Sequence, residues 1–184
     1  AFSAPPLGYL HAPFFGNPGL QPELSGSVEA GLQYAAGRQR VRATLFATHV
    51  KQELDYDPVA RRFGNIARTR NQGLEVSYDG RLASADVRAS LTLQDPIDAD
   101  TDARRVRRSR TLAALNVVQP LGAGVSVGVA LRHAGNRTDG FGGSVLLPAY
   151  TVADVTAQWD LRTDLQLFGR IENLGEVRYE SAKR

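Results

Sequence analysis

The sequence has no cysteine, which excludes a disulfide framework and any thiolate metal site and suits passage through the periplasm. Histidine is scarce: His11, His49 and His133 lie far apart without ligand spacing, and each reads as an ordinary loop or wall residue. No run approaches the ~18 apolar residues of a transmembrane helix, and helical periodicity is nearly absent. A β-span needs only ~9–11 alternating residues, so the slightly hydrophilic composition excludes no β-spanning protein. Ser, His and Asp all occur, but the one Gly-x-Ser-x-Gly string, Gly124-Val125-Ser126-Val127-Gly128, lies within an alternating β run rather than at a strand-to-helix elbow. No catalytic constellation emerges, and the chain reads as a non-enzyme. Lysine occurs only at Lys51 and Lys183, so arginine carries nearly all of the positive charge. Arg104, Arg105, Arg107, Arg108 and Arg110 cluster, yet no aromatic platform or recognition helix accompanies them, which argues against nucleic acid.

What is present is period-two alternation, the mark of an all-β fold. Val28, Ala30, Leu32 and Tyr34 alternate with Glu29, Gly31 and Gln33; Val41, Ala43, Leu45 and Ala47 alternate with Arg42 and Thr44. The same rule runs through Leu74–Tyr78, Ala85–Leu93, Val125–Arg132, Val155–Leu161 and Leu165–Glu172. With the ambiguous stretch Thr111–Gln119, this makes eight strands, each with one apolar and one polar face. Short turns are expected at Ala36-Gly37-Arg38-Gln39, Asp79-Gly80-Arg81, Pro120-Leu121-Gly122-Ala123 and Arg162-Thr163-Asp164. They take turns with long polar loops near 53–70, 95–110 and 138–148. Membrane barrels alternate short periplasmic turns with long extracellular loops, whereas a soluble sandwich has no reason to. The expected fold is therefore an antiparallel transmembrane β-barrel segment. Tyr34, Tyr78 and Trp159 sit on the apolar face near short turns, as in a periplasmic aromatic girdle. Inward residues Glu29, Arg42, Glu75, Arg88, Arg132, Arg170 and Glu172 would line a charged lumen.

Several motifs carry a family resemblance. They are Phe2-Ser3-Ala4-Pro5; Gly16-Asn17-Pro18-Gly19-Leu20-Gln21-Pro22-Glu23 with Ser25 and Glu29-Ala30-Gly31; and Asn65-Ile66 followed by Arg70-Asn71-Gln72-Gly73-Leu74-Glu75. Glu172-Asn173-Leu174 with Tyr179-Glu180 completes the set. Together they resemble the C-terminal barrel of TonB-dependent outer-membrane receptors, most of all those of the vitamin B12 type. Gly175 departs from the pattern, standing where the family often has an aromatic. The resemblance implies a 22-stranded barrel around a plug, in the outer membrane of a Gram-negative bacterium and powered through TonB. Residues 1–184 would be the C-terminal portion, about eight of those strands. The plug, its TonB contact and the last strand would lie elsewhere in the parent, as would any signal peptide. Such a segment alone could not transport, and its sheet edges would need partners.

The implied ligand is a metal chelate, cobalamin first and siderophore-iron second. A small structural or adhesion barrel and a soluble β-sandwich binding module are the rival readings. Loop residues Asp55, Tyr56 and Asp57, and the tip at Asp139, Gly140 and Phe141, are the substrate-contact candidates, because an aromatic beside polar groups suits a large amphipathic ligand. Asp98, Asp100 and Asp102 are weak calcium candidates: their spacing suits oxygen ligation, but Ala103 and Ser109 stand where an EF-type loop needs Gly and Glu. The arginine cluster in the same loop would face lipopolysaccharide phosphates or pair with carboxylates. Outer-membrane lipid, the carried chelate and TonB through the parent's plug complete the expected partners.

Overall fold

The computed structural model describes residues 1–57, 59–140 and 143–182. Among these, the elements run β1 (Phe2–Ser3), α1 (Leu7–His11), β2 (Glu23–Ala36), β3 (Gln39–Asp57), β4 (Arg62–Leu82) and β5 (Ala85–Gln94). They continue as β6 (Ile97–Asp98), β7 (Thr111–Gly122), β8 (Val125–Ala134), β9 (Arg137–Asp139), β10 (Val145–Leu147), β11 (Tyr150–Arg162) and β12 (Leu165–Ile171). The sheet order is β1-β2-β3-β4-β5-β7-β8-β11-β12, with β6 added beside β4 and β9 paired with β10. Neighbours in sequence are thus neighbours in the sheet, an up-and-down meander. Each of the eight strands read from the alternation is a strand of this meander, including the ambiguous stretch, which is β7. Two compact units divide the chain, one of residues 1–29, 46–73 and 95–105, the other of 30–45, 74–94 and 106–184.

The second unit is the wall. Antiparallel register aligns Val87 with Val117, Val117 with Val129, Val129 with Val155 and Val155 with Ile171, a row of β-branched side chains across five strands. A second row joins Ala89, Leu115, Leu131 and Ala153 on the same face. The opposite face aligns Arg88 with Asn116, Ala130 and Asp154, and Asp86 with Val118, Gly128, Thr156 and Arg170. The only apolar residues buried in this unit are Ala134, Leu147 and Val152 among those described. Leu32, Tyr34, Leu45, Val129, Trp159 and Leu167 stay exposed on the apolar face. In water such a face would be an aggregation surface; in a bilayer it is the solvent-matched one.

Tight turns join these strands two residues at a time, at 37–38, 83–84, 123–124 and 163–164. Three of the four centre close to where composition places them; the second does not. Asp79-Gly80-Arg81 remains inside β4, and the reversal falls three residues later at Ala83 (φ 52°) and Ser84. The cause is cross-strand: Arg88 pairs with Asp79 (2.9 Å) and Arg81 with Asp86 (2.6 Å), which hold both flanks of Gly80 extended. Gly80 is needed there for space, since a Cβ would lie 2.8 Å from the Arg38 carbonyl oxygen. Pro120 also stays within β7, at a register shift between Pro120 and Gly122, the kind of bulge that tolerates a residue without an amide hydrogen.

The first unit shows where the expected loops are not loops. β3 runs to Asp57 and β4 starts at Arg62, so most of the polar stretch 53–70 is a hairpin. Within 95–110, Ile97 and Asp98 add a short strand against Arg70 and Thr69. In the second unit, the stretch 138–148 holds the β9–β10 hairpin, with Leu147 opposite Arg137 and Val145 opposite Asp139. Polarity reports solvent on both faces, not the absence of a ladder, because backbone hydrogen bonds form equally well between polar strands. The sequence also conceals α1, a single turn whose Tyr9 and Leu10 amides donate to the Pro6 carbonyl.

Candidate functional site

In the first unit, side chains from α1, its following loop and the β3–β4 hairpin converge. The Tyr9 and Phe63 rings stack at 3.8 Å between centroids, and Phe15 and Tyr56 meet Phe63 edge-on at 6.0 and 5.7 Å. Offset and edge contacts of this kind fix ring positions beyond simple area burial. The segment is tied down by amides: Asn17 Nδ2 donates to the Phe63 carbonyl (2.9 Å), and Asn65 Nδ2 donates to the Gln21 and Gln52 carbonyls (2.8 and 2.7 Å). Asn65 Oδ1 in return accepts from the Gln21 amide (2.7 Å). A four-ring cluster with half-exposed edges offers π faces and apolar area to a large ligand.

Among the described residues, Tyr56 is the predicted contact residue that joins that cluster. Asp57 Oδ1 accepts from the Val59 and Ala60 amides (2.8 and 3.0 Å), which makes it the cap of the hairpin turn. Asp55 accepts from the Tyr56 amide (2.8 Å) and lies 3.5 Å from Arg105 Nη2. That guanidinium also donates to Glu53 (3.0 Å), whose carboxylate further accepts from the Thr69 hydroxyl. Asp139 belongs to the second unit; it is 1% exposed, and accepts from Arg107 Nε and the Gly140 amide at 2.7 Å each. Phe141 lies outside the described residues. Tyr9, Phe15 and Phe63 were missed by sequence reasoning, although Phe15-Gly16 and Phe63-Gly64 mark aromatics beside chain reversals.

Each carboxylate of the acidic run has a local partner. Asp98 Oδ1 accepts from the Asp100 and Thr101 amides (3.0 and 2.9 Å) and the Thr101 hydroxyl, Asp100 pairs with Arg68, and Asp102 lies 3.7 Å from Arg70. Among the described residues no group of three or more His, Asp or Glu side chains could hold a metal. The run is an aspartate-capped turn facing cations. The arginine cluster is likewise partly committed, Arg105 to Glu53 and Arg107 to Asp139, while Arg104 and Arg108 are exposed.

On the polar face of the wall, Asp154 is 2% exposed between two strands' arginines. Arg132 Nη2 and Arg170 Nη2 donate to it at 3.0 and 3.2 Å, and the Asn173 amide donates to its other oxygen at 2.9 Å. Asn173 (φ 49°) then bonds the Val177 amide and carbonyl (2.9 and 3.1 Å), which shapes the turn after β12. His133 makes a cross-strand contact, Nδ1 to Thr151 Oγ1 at 2.9 Å.

An antiparallel meander with one aliphatic and one charged face, its strands joined by tight two-residue turns, is the wall of an outer-membrane β-barrel. The profile of the TonB dependent receptor-like β-barrel matches residues 1–174, and the chain belongs to that family. Members are receptors of the Gram-negative outer membrane. Across 98% of its length the chain is 26% identical to the vitamin B12 transporter BtuB of Vibrio vulnificus (strain YJ016), and spans 30% of that protein. Its backbone superposes on the copper transporter OprC with a TM-score of 0.80 at 17% identity, covering 100% of this chain and 31% of OprC. The ferric-catecholate import receptor Fiu of E. coli K12 gives 0.73 at 19% identity, covering 89% of this chain and 25% of Fiu.

Proposed function

We propose that residues 1–184 are the C-terminal portion of the barrel of a receptor that imports a metal chelate, with cobalamin the first candidate and siderophore-iron the second. The observation that carries this reading is the 26% identity to a vitamin B12 transporter, sustained over 98% of the chain. The geometry is compatible with it. A cobalamin-sized ligand needs broad apolar contact and a few fixed polar groups, and the Tyr9–Phe15–Tyr56–Phe63 cluster beside Asn17 supplies that kind of surface. The wall provides scaffold, the outer loops capture, and a plug elsewhere in the parent, pulled through TonB, opens the path; no catalytic step is involved.

The test is uptake of radiolabelled cobalamin and of a ferric siderophore by cells with and without the gene for the full-length protein. Loss of cobalamin uptake alone supports the first candidate. Loss of siderophore uptake alone moves the assignment to the second, and unchanged uptake of both sinks the import reading.

A further inference from the structure

In the second unit a cavity of about 670 Å³ lies between the hairpin segment 145–150 and the returning segment 177–180. Its two walls are clasped together. Tyr150 and Tyr179 stack at 4.2 Å with their planes 20° apart, and the Arg137 guanidinium carbon stands 5.4 Å from the Tyr150 ring centroid. Arg137 is buried and donates through Nη2 to the Glu180 carbonyl and through Nε to the Ser181 carbonyl (3.3 Å). The clasp leaves Tyr179 49% exposed, so a ring surface remains presented to the cavity. Leu147 and Val177 add apolar wall. On the rim stands Arg178, exposed and without an ion pair or hydrogen bond among the described residues. With Arg137 behind the wall and Arg178 and Glu180 on it, the surroundings carry more positive than negative charge.

We infer that this cavity is a binding site for an organic anion built on a planar apolar ring, with Tyr179 as the platform, Arg178 as the charge contact and Arg137 as a positioning residue. A ring on an exposed aromatic gains stacking and buried area, and an acid oxygen meets a guanidinium with forked donors. The volume admits one such group rather than a whole macrocycle. The site deepens the import reading, on which it rests for the source of the ring, a part of the carried chelate.

The probe is 2-naphthoate, with uncharged 2-naphthylmethanol as its control, measured by equilibrium dialysis on outer membranes holding the full-length receptor against membranes lacking it. Saturable naphthoate binding is expected only with the receptor. Arg178→Gln should weaken it by about tenfold or more, the scale of one lost hydrogen bond to a charged group, and Arg178→Lys should keep most of it. Tyr179→Ala should weaken acid and alcohol alike. Absence of saturable naphthoate binding, or binding unaltered in Arg178→Gln, overturns the site. Cobalamin and siderophore uptake in the same strains separates the two failures: intact uptake without naphthoate binding removes this site alone, whereas naphthoate binding without chelate uptake removes the import reading alone.

Discussion

The two units use the same extended backbone and stabilise it with different emphasis. In the wall, side chains of like kind line up across strands, as in the row from Val87 to Ile171, and polar side-chain pairs such as Arg81–Asp86 and Gln119–Ser84 flank the tight turns. In the hairpin unit, side chains bind backbone: Asn65 holds Gln21 and Gln52, Asn17 holds Phe63, and Glu23 Oε1 accepts from the Leu54 amide (2.7 Å). The difference follows from the solvent. Lipid offers no hydrogen bonds and rewards an unbroken aliphatic face, whereas water tolerates any side chain that has a partner. A charge is therefore expensive on the wall's aliphatic face and cheap in the hairpin.

That contrast can be broken by placing or removing polar groups in each region of the full-length receptor. The largest effect is expected from Val129→Arg at the middle of the aliphatic row, which puts a cation into hydrocarbon at a cost of about 2–4 kcal/mol. Urea unfolding in lipid vesicles should show it, and a midpoint unchanged from wild type would mean that this face does not meet lipid. Asn65→Ala comes next. It frees two carbonyls and an amide near the ring cluster, and a destabilisation of about 1–3 kcal/mol is expected, local to the segment 16–23. Faster proteolysis there with the wall's unfolding midpoint unmoved is the predicted signature; a global loss of stability would contradict the separation of the units. Arg68→Gln should do least, because the exposed pair with Asp100 is worth about 0–1 kcal/mol. A measurable shift in the unfolding midpoint on this last change would show that the acidic run is more than a capped turn.

Reading by alternation succeeded where a face is uniform and failed where both faces meet water. Val125, Val127, Val129 and Leu131 announce β8 because each second residue is aliphatic. Residues 62–70 of β4 are Arg-Phe-Gly-Asn-Ile-Ala-Arg-Thr-Arg, with no periodic signal, and only the partner strand reveals their ladder. Among the candidate contacts, Tyr56 was visible as an aromatic between aspartates. Its neighbours Tyr9 and Phe63 are 47 and 7 residues from it in sequence, and their stacking depends on Asn17 reaching the Phe63 carbonyl. Of the aspartates read as candidate ligands, Asp57 and Asp98 also cap turns, because a short carboxylate readily satisfies nearby amides, and Asp100 and Asp139 also pair with arginines.

The sequence by itself determined the strand count, the apolar and polar faces and the family, since these depend on local periodicity and on motifs that survive in the linear order. Only the tertiary structure decided the lengths of the hairpins, the position of the second turn, the commitment of Asp139 and Asp154 to arginines, and the clasp of Arg137, Tyr150 and Tyr179. Those features rest on contacts between residues distant in sequence, whose energies are set by register and burial rather than by composition.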